Sequence, residues 1–399
     1  MIIVRIFKQT SDSWGTMASN PLLTIKDYGQ SIWMDNLTRD LIQSGELKRM
    51  IENQGIRGIT TNPAIFEKAI ASNALYETNI KAGFDAGLSV EKIYESLIFE
   101  DIRNACDLFR PIYEESEGLD GYVSIEVPPT IANDTKITIE EAQRYYREIG
   151  RENVMIKIPG TLSGAPAVEQ VISQGISVNV TLLFSISSYE EAAWAYIRGL
   201  ETRVKQGKDI TKISSVASFF LSRIDTKVDQ MIEDRMHTIG TEGLQMAARL
   251  TAVKGKVAIA NAKIAYQKYK EIIQSERWQA LSQKGANVQR LLWASTSTKD
   301  PAYSDVMYVN ELIGADTVNT LPPATIEACA DHCDVANRLE TRIEEAYTLM
   351  DSLKEPDIDI NIDQVMAEVL DEGIDKFVQP FESLMESIEL LQNKLVAAK

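Results

Sequence analysis

Eight short runs rich in β-branched residues, each followed by a longer helical pattern, predict an α/β fold, a closed (β/α)8 TIM barrel. The runs fall at 31–35, 56–60, 122–127, 153–158, 176–181, 213–217, 289–293 and 315–319. A second observation is that several of them alternate between an apolar face and a more polar one, as strands do when one face meets helices and the other looks inward. The third is that no linker, repeat or low-complexity tract divides the 399 residues. Residues 27–399 therefore read as a single barrel domain, with extra helical segments at both ends.

Residues 1–26 form an N-terminal extension with no clear periodicity, and Met17 within it offers an alternative start. After the second strand, Asn62-Pro63 is a helix opening, because proline suits the first helical position where no N–H is needed. Ile93, Leu97, Ile98, Ile102, Ala105, Leu108 and Phe109 keep the 3.6-residue period of a one-sided helix. Thr138 with Glu141, and Ser188 with Glu191, read as capping boxes at two further helix starts. From about residue 323 the chain turns acidic and helical. It breaks at Glu355-Pro356 and closes with a helix from about 363 to 395, a solvated face or a cover over one end of the barrel.

Composition excludes several function classes. Apolar residues at 44% and charged residues at 25% are ordinary for a globular protein. The 58 Asp+Glu against 41 Lys+Arg give a net charge of −17, which repels nucleic acid and anionic membranes. An anionic small substrate would need a local basic cluster. No apolar run approaches the roughly 18 residues of a membrane span, and Arg5 cuts the first hydrophobic stretch too short for a signal peptide. Cys106, Cys329 and Cys333 are odd in number with no disulfide-like spacing, which predicts a reducing, cytoplasmic setting. Cys329, His332 and Cys333 lie within one turn but lack a fourth ligand, so ordinary packing is expected there rather than a metal.

Parity singles out the chemistry. In 153–158, Val154, Ile156 and Ile158 share one face, leaving Asn153, Met155 and Lys157 on the other. Ser124 and Glu126 oppose Val123, Ile125 and Val127, and Ser177, Asn179 and Thr181 oppose Ile176, Val178 and Val180. A lysine and a carboxylate pointing into a barrel are costly unless partnered. Asp35, Glu126, Lys157 and Thr181 also sit at the C-terminal ends of their strands, the rim that carries chemistry in such barrels. Lys157, flanked by Ile156, Ile158 and Pro159, is the candidate nucleophile, because desolvation favours the neutral amine that attacks a carbonyl. With only His237 and His332 in the chain, histidine triads and histidine–metal sites have little to build on. No Gly-rich phosphate loop of nucleotide type is present either. The expectation is carboxylate acid/base work with no cofactor and no metal.

Six motifs then carry a family resemblance: GITTNPAIFEKAI at 58–70, VSIEV at 123–127, IKIPGT at 156–161, GISVNVTLLFS at 175–185, ASFFLSRID at 217–225 and ELIGADTVNTLP at 311–322. In this order they resemble the transaldolase family, in its long bacterial branch, over nearly all of residues 27–350. The resemblance implies transfer of a dihydroxyacetone unit in the non-oxidative pentose phosphate pathway. The donor would be sedoheptulose 7-phosphate or fructose 6-phosphate, and the acceptor an aldose phosphate. It implies Lys157 as Schiff-base lysine, Asp35 as acid/base in carbon–carbon cleavage, and Glu126 with Thr181 as the pair that holds a catalytic water. Asn62 and Asn179 match residues that bind substrate hydroxyls, Ser218 and Arg223 match phosphate-side contacts, and Lys299, after WASTST at 293–298, is a weaker match to a second phosphate cation. Phe220 stands where family transferases resemble this chain and related small aldolases tend to carry tyrosine. VPPT at 127–130 and GAP at 164–166 depart from the family pattern in loop detail only.

Each of these residues also has a plain reading. Taken alone, a strand-end lysine or carboxylate is more often an ion-pair or cap residue, and Asn179 and Thr181 could simply bond the sheet. Arg223 could lie on a helix surface, and Lys299 is evenly balanced between the two readings. Among enzymes the alternative is a ketose-phosphate aldolase using the same lysine. Outside that class stand a non-catalytic sugar-phosphate-binding barrel and, last, a triose isomerase, which would lack its histidine electrophile. Sugar phosphates are the expected partners, without nucleic acid or membrane, and the oligomeric state is not readable.

Overall fold

The computed structural model describes residues 20–238 and 243–397, so most of the N-terminal extension, 1–19, lies outside the described residues. Eight parallel strands close into a barrel in sequence order. They are β1 Gln30–Asp35, β2 Ile59–Thr60, β3 Val123–Glu126, β4 Val154–Pro159, β5 Val178–Leu183, β6 Ser215–Phe220, β7 Arg290–Ala294 and β8 Thr317–Leu321. Each expected run yields one strand. Several begin later than expected, because the first residues of the run form the barrel floor just below the ladder. Ser177 is such a residue: its carbonyl still accepts from the Ile156 N–H.

Parity holds where it positions the site. Val154, Ile156, Ile158, Val123 and Val178 are fully buried beneath helices, each contributing roughly 1.5–3 kcal/mol. The opposite faces bring Glu126, Lys157 and Asn179 side by side, since Glu126 pairs with Lys157 and Lys157 with Asn179 in register. At the floor, Asp120 accepts from Ser31, Trp33, Arg57 and Arg290, a closed network that plugs the N-terminal end. Polar groups thus fill both ends, and at the floor the Asp120 carboxylate is fully partnered.

The helices that matter below are α1 Pro63–Ser72, α2 Val90–Glu115, α3 Thr135–Ile149, α4 Gly164–Ser173, α5 Ile186–Lys205, α6 Ser222–Thr238, α7 Val257–Gln274, α8 Pro323–His332, α9 Ile343–Ser352 and α10 Ile362–Ala397. Asn62 caps α1 as expected, accepting from the Ile65 N–H at 3.1 Å with Pro63 behind it. Both capping boxes are corrected. Asp134, not Thr138, caps α3, and Ser185, not Ser188, caps α5, because in each case a polar side chain nearer the strand end reaches the free N–H groups first. The break at Glu355-Pro356 separates α9 from α10. α10 packs against α1, α2, α6 and β5, so it covers the C-terminal mouth of the barrel.

At the start of the described chain, Asn20 caps a short helix whose Leu22 is buried, and Ile25 follows it into the core. The cysteine expectation is also corrected: Cys329 and Cys333 are joined by a disulfide across the end of α8. A separation of four residues spans one helical turn and brings their Cα atoms to 4.5 Å, within bridging distance. His332 between them is exposed and faces Asp305 and Asp331 instead. No helix among the described residues is long and apolar enough to cross a membrane.

Candidate active site

Lys157 owes its position to the register of three strands. Its side chain rises from β4 between Glu126 on β3 and Asn179 on β5, and it is 4% exposed. Its Nζ donates to the Thr61 carbonyl at 2.8 Å and lies 3.6 Å from Glu126 Oε2. That carbonyl is available because β2 is only two residues long and the chain turns at once into the Asn62 cap of α1. The amine is therefore held by one neutral acceptor and one carboxylate, with little water.

Two carboxyls flank it. Burial pushes Glu126 up to about 7, against the opposing pull of Lys157 and Arg223. Neither of its oxygens has a hydrogen-bond partner, and the Thr181 hydroxyl on β5 is likewise buried without one. Orphaned buried acceptors of this kind mark a place for water or substrate. Burial also raises Asp35 above the usual carboxylate range, with Lys157, Thr60, Arg223 and Lys299 acting the other way. Thr60 donates to Asp35 Oδ1 at 2.7 Å and shares a 2.7 Å bond with Thr320, which fixes the carboxyl against the β1–β2–β8 wall.

A cavity of about 80 Å³ opens over the lysine. It is lined by seven expected residues, Asp35, Asn62, Lys157, Thr181, Ser218, Phe220 and Arg223. Glu126 borders the adjoining hollow beside Asn62 and Tyr94. Asn179 is fully buried beneath: it accepts from Ser218 Oγ at 2.6 Å and donates to Ser124 at 3.1 Å, and so holds Ser218 in place. Arg223, in the first turn of α6, stacks over the Phe220 ring at 5.2 Å, and its Nη1 is buried without a partner. Lys299 does not line this cavity. It is exposed on the segment after β7 and donates to Ser297 at 2.7 Å. Partial desolvation and then the positive charge of Arg223 hold it below the usual lysine value, so the two cations sense one another.

The sequence reading missed five lining residues, among them Ala294 at the end of β7. Thr60, Ser295 and Thr320 sit on or beside strands already assigned, and the TT of 60–61 and the NTL of 319–321 were their signal. Phe377 arrives from α10, where nothing local distinguishes it from a core residue. Its ring lies 5.7 Å from Lys157 Nζ and 5.6 Å from Arg223 Cζ. One turn on, Phe381 stands over the Glu126 hollow and meets Tyr94 edge-on at 5.5 Å.

A buried amine between two carboxyls of raised pKa, with a guanidinium and hydroxyls a few ångströms off, can add to a carbonyl and move protons without further groups. Among the described residues no three His, Cys, Asp or Glu side chains converge as a metal-binding group. Comparison with known proteins shows the family. The family model for transaldolase/fructose-6-phosphate aldolase matches residues 32–388. "Transaldolase 2" of Nostoc sp. is 71% identical over 373 residues, covering 94% of this chain and 98% of its own. The "Transaldolase" of Trichodesmium erythraeum is 67% identical over 379 residues, 95% and 99% of the two chains. The "Transaldolase" of Saccharopolyspora erythraea is 43% identical over 368 residues, 92% and 96%. An eight-stranded barrel with a rim lysine and its carboxyls, matched over nearly its whole length, makes this chain an enzyme of the transaldolase/fructose-6-phosphate aldolase family.

Proposed function

We propose that the enzyme transfers a dihydroxyacetone unit between sugar phosphates through a Schiff base on Lys157. The donor is sedoheptulose 7-phosphate or fructose 6-phosphate and the acceptor glyceraldehyde 3-phosphate or erythrose 4-phosphate, as in the non-oxidative pentose phosphate pathway of the cytoplasm. The observation that carries the reading is the Lys157 amine, buried at the rim and 3.6 Å from Glu126.

The amine loses a proton to Glu126 and adds to the ketose C2 carbonyl. Glu126 and Thr181, through a water, return that proton to the carbinolamine oxygen, which leaves as water. The resulting iminium is the electron sink. Asp35 takes the C4 hydroxyl proton, the C3–C4 bond breaks, and the electron pair forms the C2=C3 enamine. An acceptor aldehyde then reverses these steps, taking its proton from Asp35. Asn62 binds a substrate hydroxyl, Asn179 acts on the hydroxyl side from behind Ser218, and Ser218 stands with Arg223 on the phosphate side. Arg223, and at longer range Lys299, supply the local positive charge that a phosphate needs on a protein of charge −17.

Sodium borohydride reduction with fructose 6-phosphate, followed by peptide mass mapping, tests this. A reduced three-carbon adduct on Lys157, abolished in Lys157→Arg, is expected, and an adduct on another residue overturns the reading. A second reading, a ketose-phosphate aldolase, is favoured by the breadth of the family matched. It requires steady release of dihydroxyacetone from fructose 6-phosphate without acceptor, whereas Phe220 favours transfer.

A further inference from the structure

We infer that Phe377, on the C-terminal helix, is a specificity-determining wall of this site: it keeps water off the enamine on Lys157 and thereby favours transfer over release. The inference rests on the Schiff-base reading above and adds a residue to it.

The enamine has two fates. Its C3 can attack an aldehyde carbon, forming a carbon–carbon bond while the aldehyde oxygen takes the Asp35 proton. Alternatively C3 takes a proton derived from water, and a second water hydrolyses the iminium, releasing dihydroxyacetone and the free amine. The first needs an aldehyde and the second needs only water, so the access of water decides between them.

Phe377 is 4% exposed and its ring stands within 6 Å of both the amine and the guanidinium. Arg223 is thus sandwiched between Phe220 on β6 and Phe377 on α10, and the two rings make the apolar side of the cavity. The rings themselves offer water no hydrogen bond, which leaves Arg223 Nη1 as the free polar atom between them.

The helix is held close by two features. At Gly373, one turn before the ring, a Cβ would lie 3.1 Å from Arg223 Nη1 and 3.2 Å from Leu182 Cδ2, so the backbone approaches closely and a larger residue would have to push these neighbours back by a few tenths of an ångström. Lys227 on α6 then pairs with Glu368 and Glu372 at 2.9 Å each, fixing α10 along the same edge. Substrate has a separate way in. A hollow of about 580 Å³ shares Asp35 and Asn62 with the cavity and is not lined by Phe377. An aldehyde entering from that side displaces the water there, while the aromatic wall closes the other side.

The test compares the full chain with Phe377→Ala, Phe377→Gln and Phe377→Leu, measuring dihydroxyacetone release without acceptor against transfer to erythrose 4-phosphate. The Ala gap and the Gln amide should each raise the release-to-transfer ratio on the order of tenfold, and Leu should stay near the parent. Gln, close to Phe in size, carries the test if Ala does not fold. A ratio unchanged in a folded variant whose Lys157 is still trapped by borohydride overturns this inference alone. An untrapped Lys157 in the parent overturns the Schiff-base reading and this inference with it.

Discussion

Asp120 and Glu126 are both buried carboxylates of one barrel, and burial alone would raise both. Asp120 ends below the usual range, because Arg290 and the hydrogen bonds from Ser31 and Trp33 outweigh desolvation. Glu126 has a lysine 3.6 Å away and no hydrogen bond, so desolvation prevails and its carboxyl is pushed up to about 7. The signs for stability follow. The Asp120 contribution is present at neutral pH and lost as pH falls. That of Glu126 is present below its unfolded value and lost as pH rises through about 7. For catalysis the same titration is useful, since a group near 7 both takes and gives a proton at working pH. The pH profile of kcat/KM should therefore show a limb near 7 that vanishes in Glu126→Gln. That variant should lose roughly 10²–10⁴-fold in rate while becoming more stable relative to the parent at pH 8 than at pH 5. Unfolding and rate measurements at the two pH values check both statements, and a profile that keeps its limb in the variant removes Glu126 from the proton path.

Helix α6 shows how an element carries the site. Arg223 lies in its first turn, and the next buried polar residues are Asp225 and Asp229. Asp225 accepts from the Ala258 N–H and the Tyr308 hydroxyl, each at 2.8 Å. Asp229 accepts from the Gly255 N–H at 2.9 Å and the Tyr303 hydroxyl at 2.7 Å. Both carboxylates thus tie α6 to the start of α7 and to the segment after β7 that bears Lys299. Burial pushes Asp225 up to about 7, with those donors resisting. Removing the Tyr308 hydroxyl raises it further, and the added cost falls where the parent carboxyl is charged. Tyr308→Phe should therefore cost about 1–3 kcal/mol at pH 8 and less at pH 5. Urea unfolding at both pH values measures this, and an equal loss at the two would show that Asp225 does not carry the effect. Much of this scaffold is legible in the sequence: an inward polar face beside an outward apolar one marks β3, β4 and β5, and Asn62-Pro63 marks α1. Other features leave no local mark. The register of β5 on β6 shifts between Val180 and Leu183, with Leu182 at φ 58°, and VTLLF offers no glycine to announce it. The caps of α3 and α5 went to Asp134 and Ser185, polar residues upstream of those the pattern singles out, which periodicity cannot rank. Phe377 reads as one more apolar residue on a helix, because its partners lie on strands far away in the chain.

The −17 charge and the basic pocket show why the barrel needs its last helix as well as its strands. The C-terminal mouth gathers Lys157, Arg223, Asp35 and Glu126, groups whose coupling weakens when water fills the space between them. α10 excludes that water, and its inner face is also part of the core. Val365, Met366, Val369, Phe377, Leu384 and Ile388 are each no more than 5% exposed. At roughly 1.5–3 kcal/mol per side chain their burial is on the order of 10 kcal/mol, before the entropy of ordering the helix is set against it. The net is a few kcal/mol, comparable with the whole stability of an ordinary domain. Ending the chain after Asn361 should therefore destabilise the barrel rather than merely open it, with Tm lowered on the order of 10 °C and a tendency to aggregate through the uncovered faces of α1, α2 and β5. The loss should exceed that of Phe377→Ala, because the single variant removes one ring and leaves the covering helix in place. Calorimetry on the truncated chain decides it: a Tm within a degree or two of the parent would mean that α10 is a detachable lid, and that the barrel holds its charged mouth together unaided.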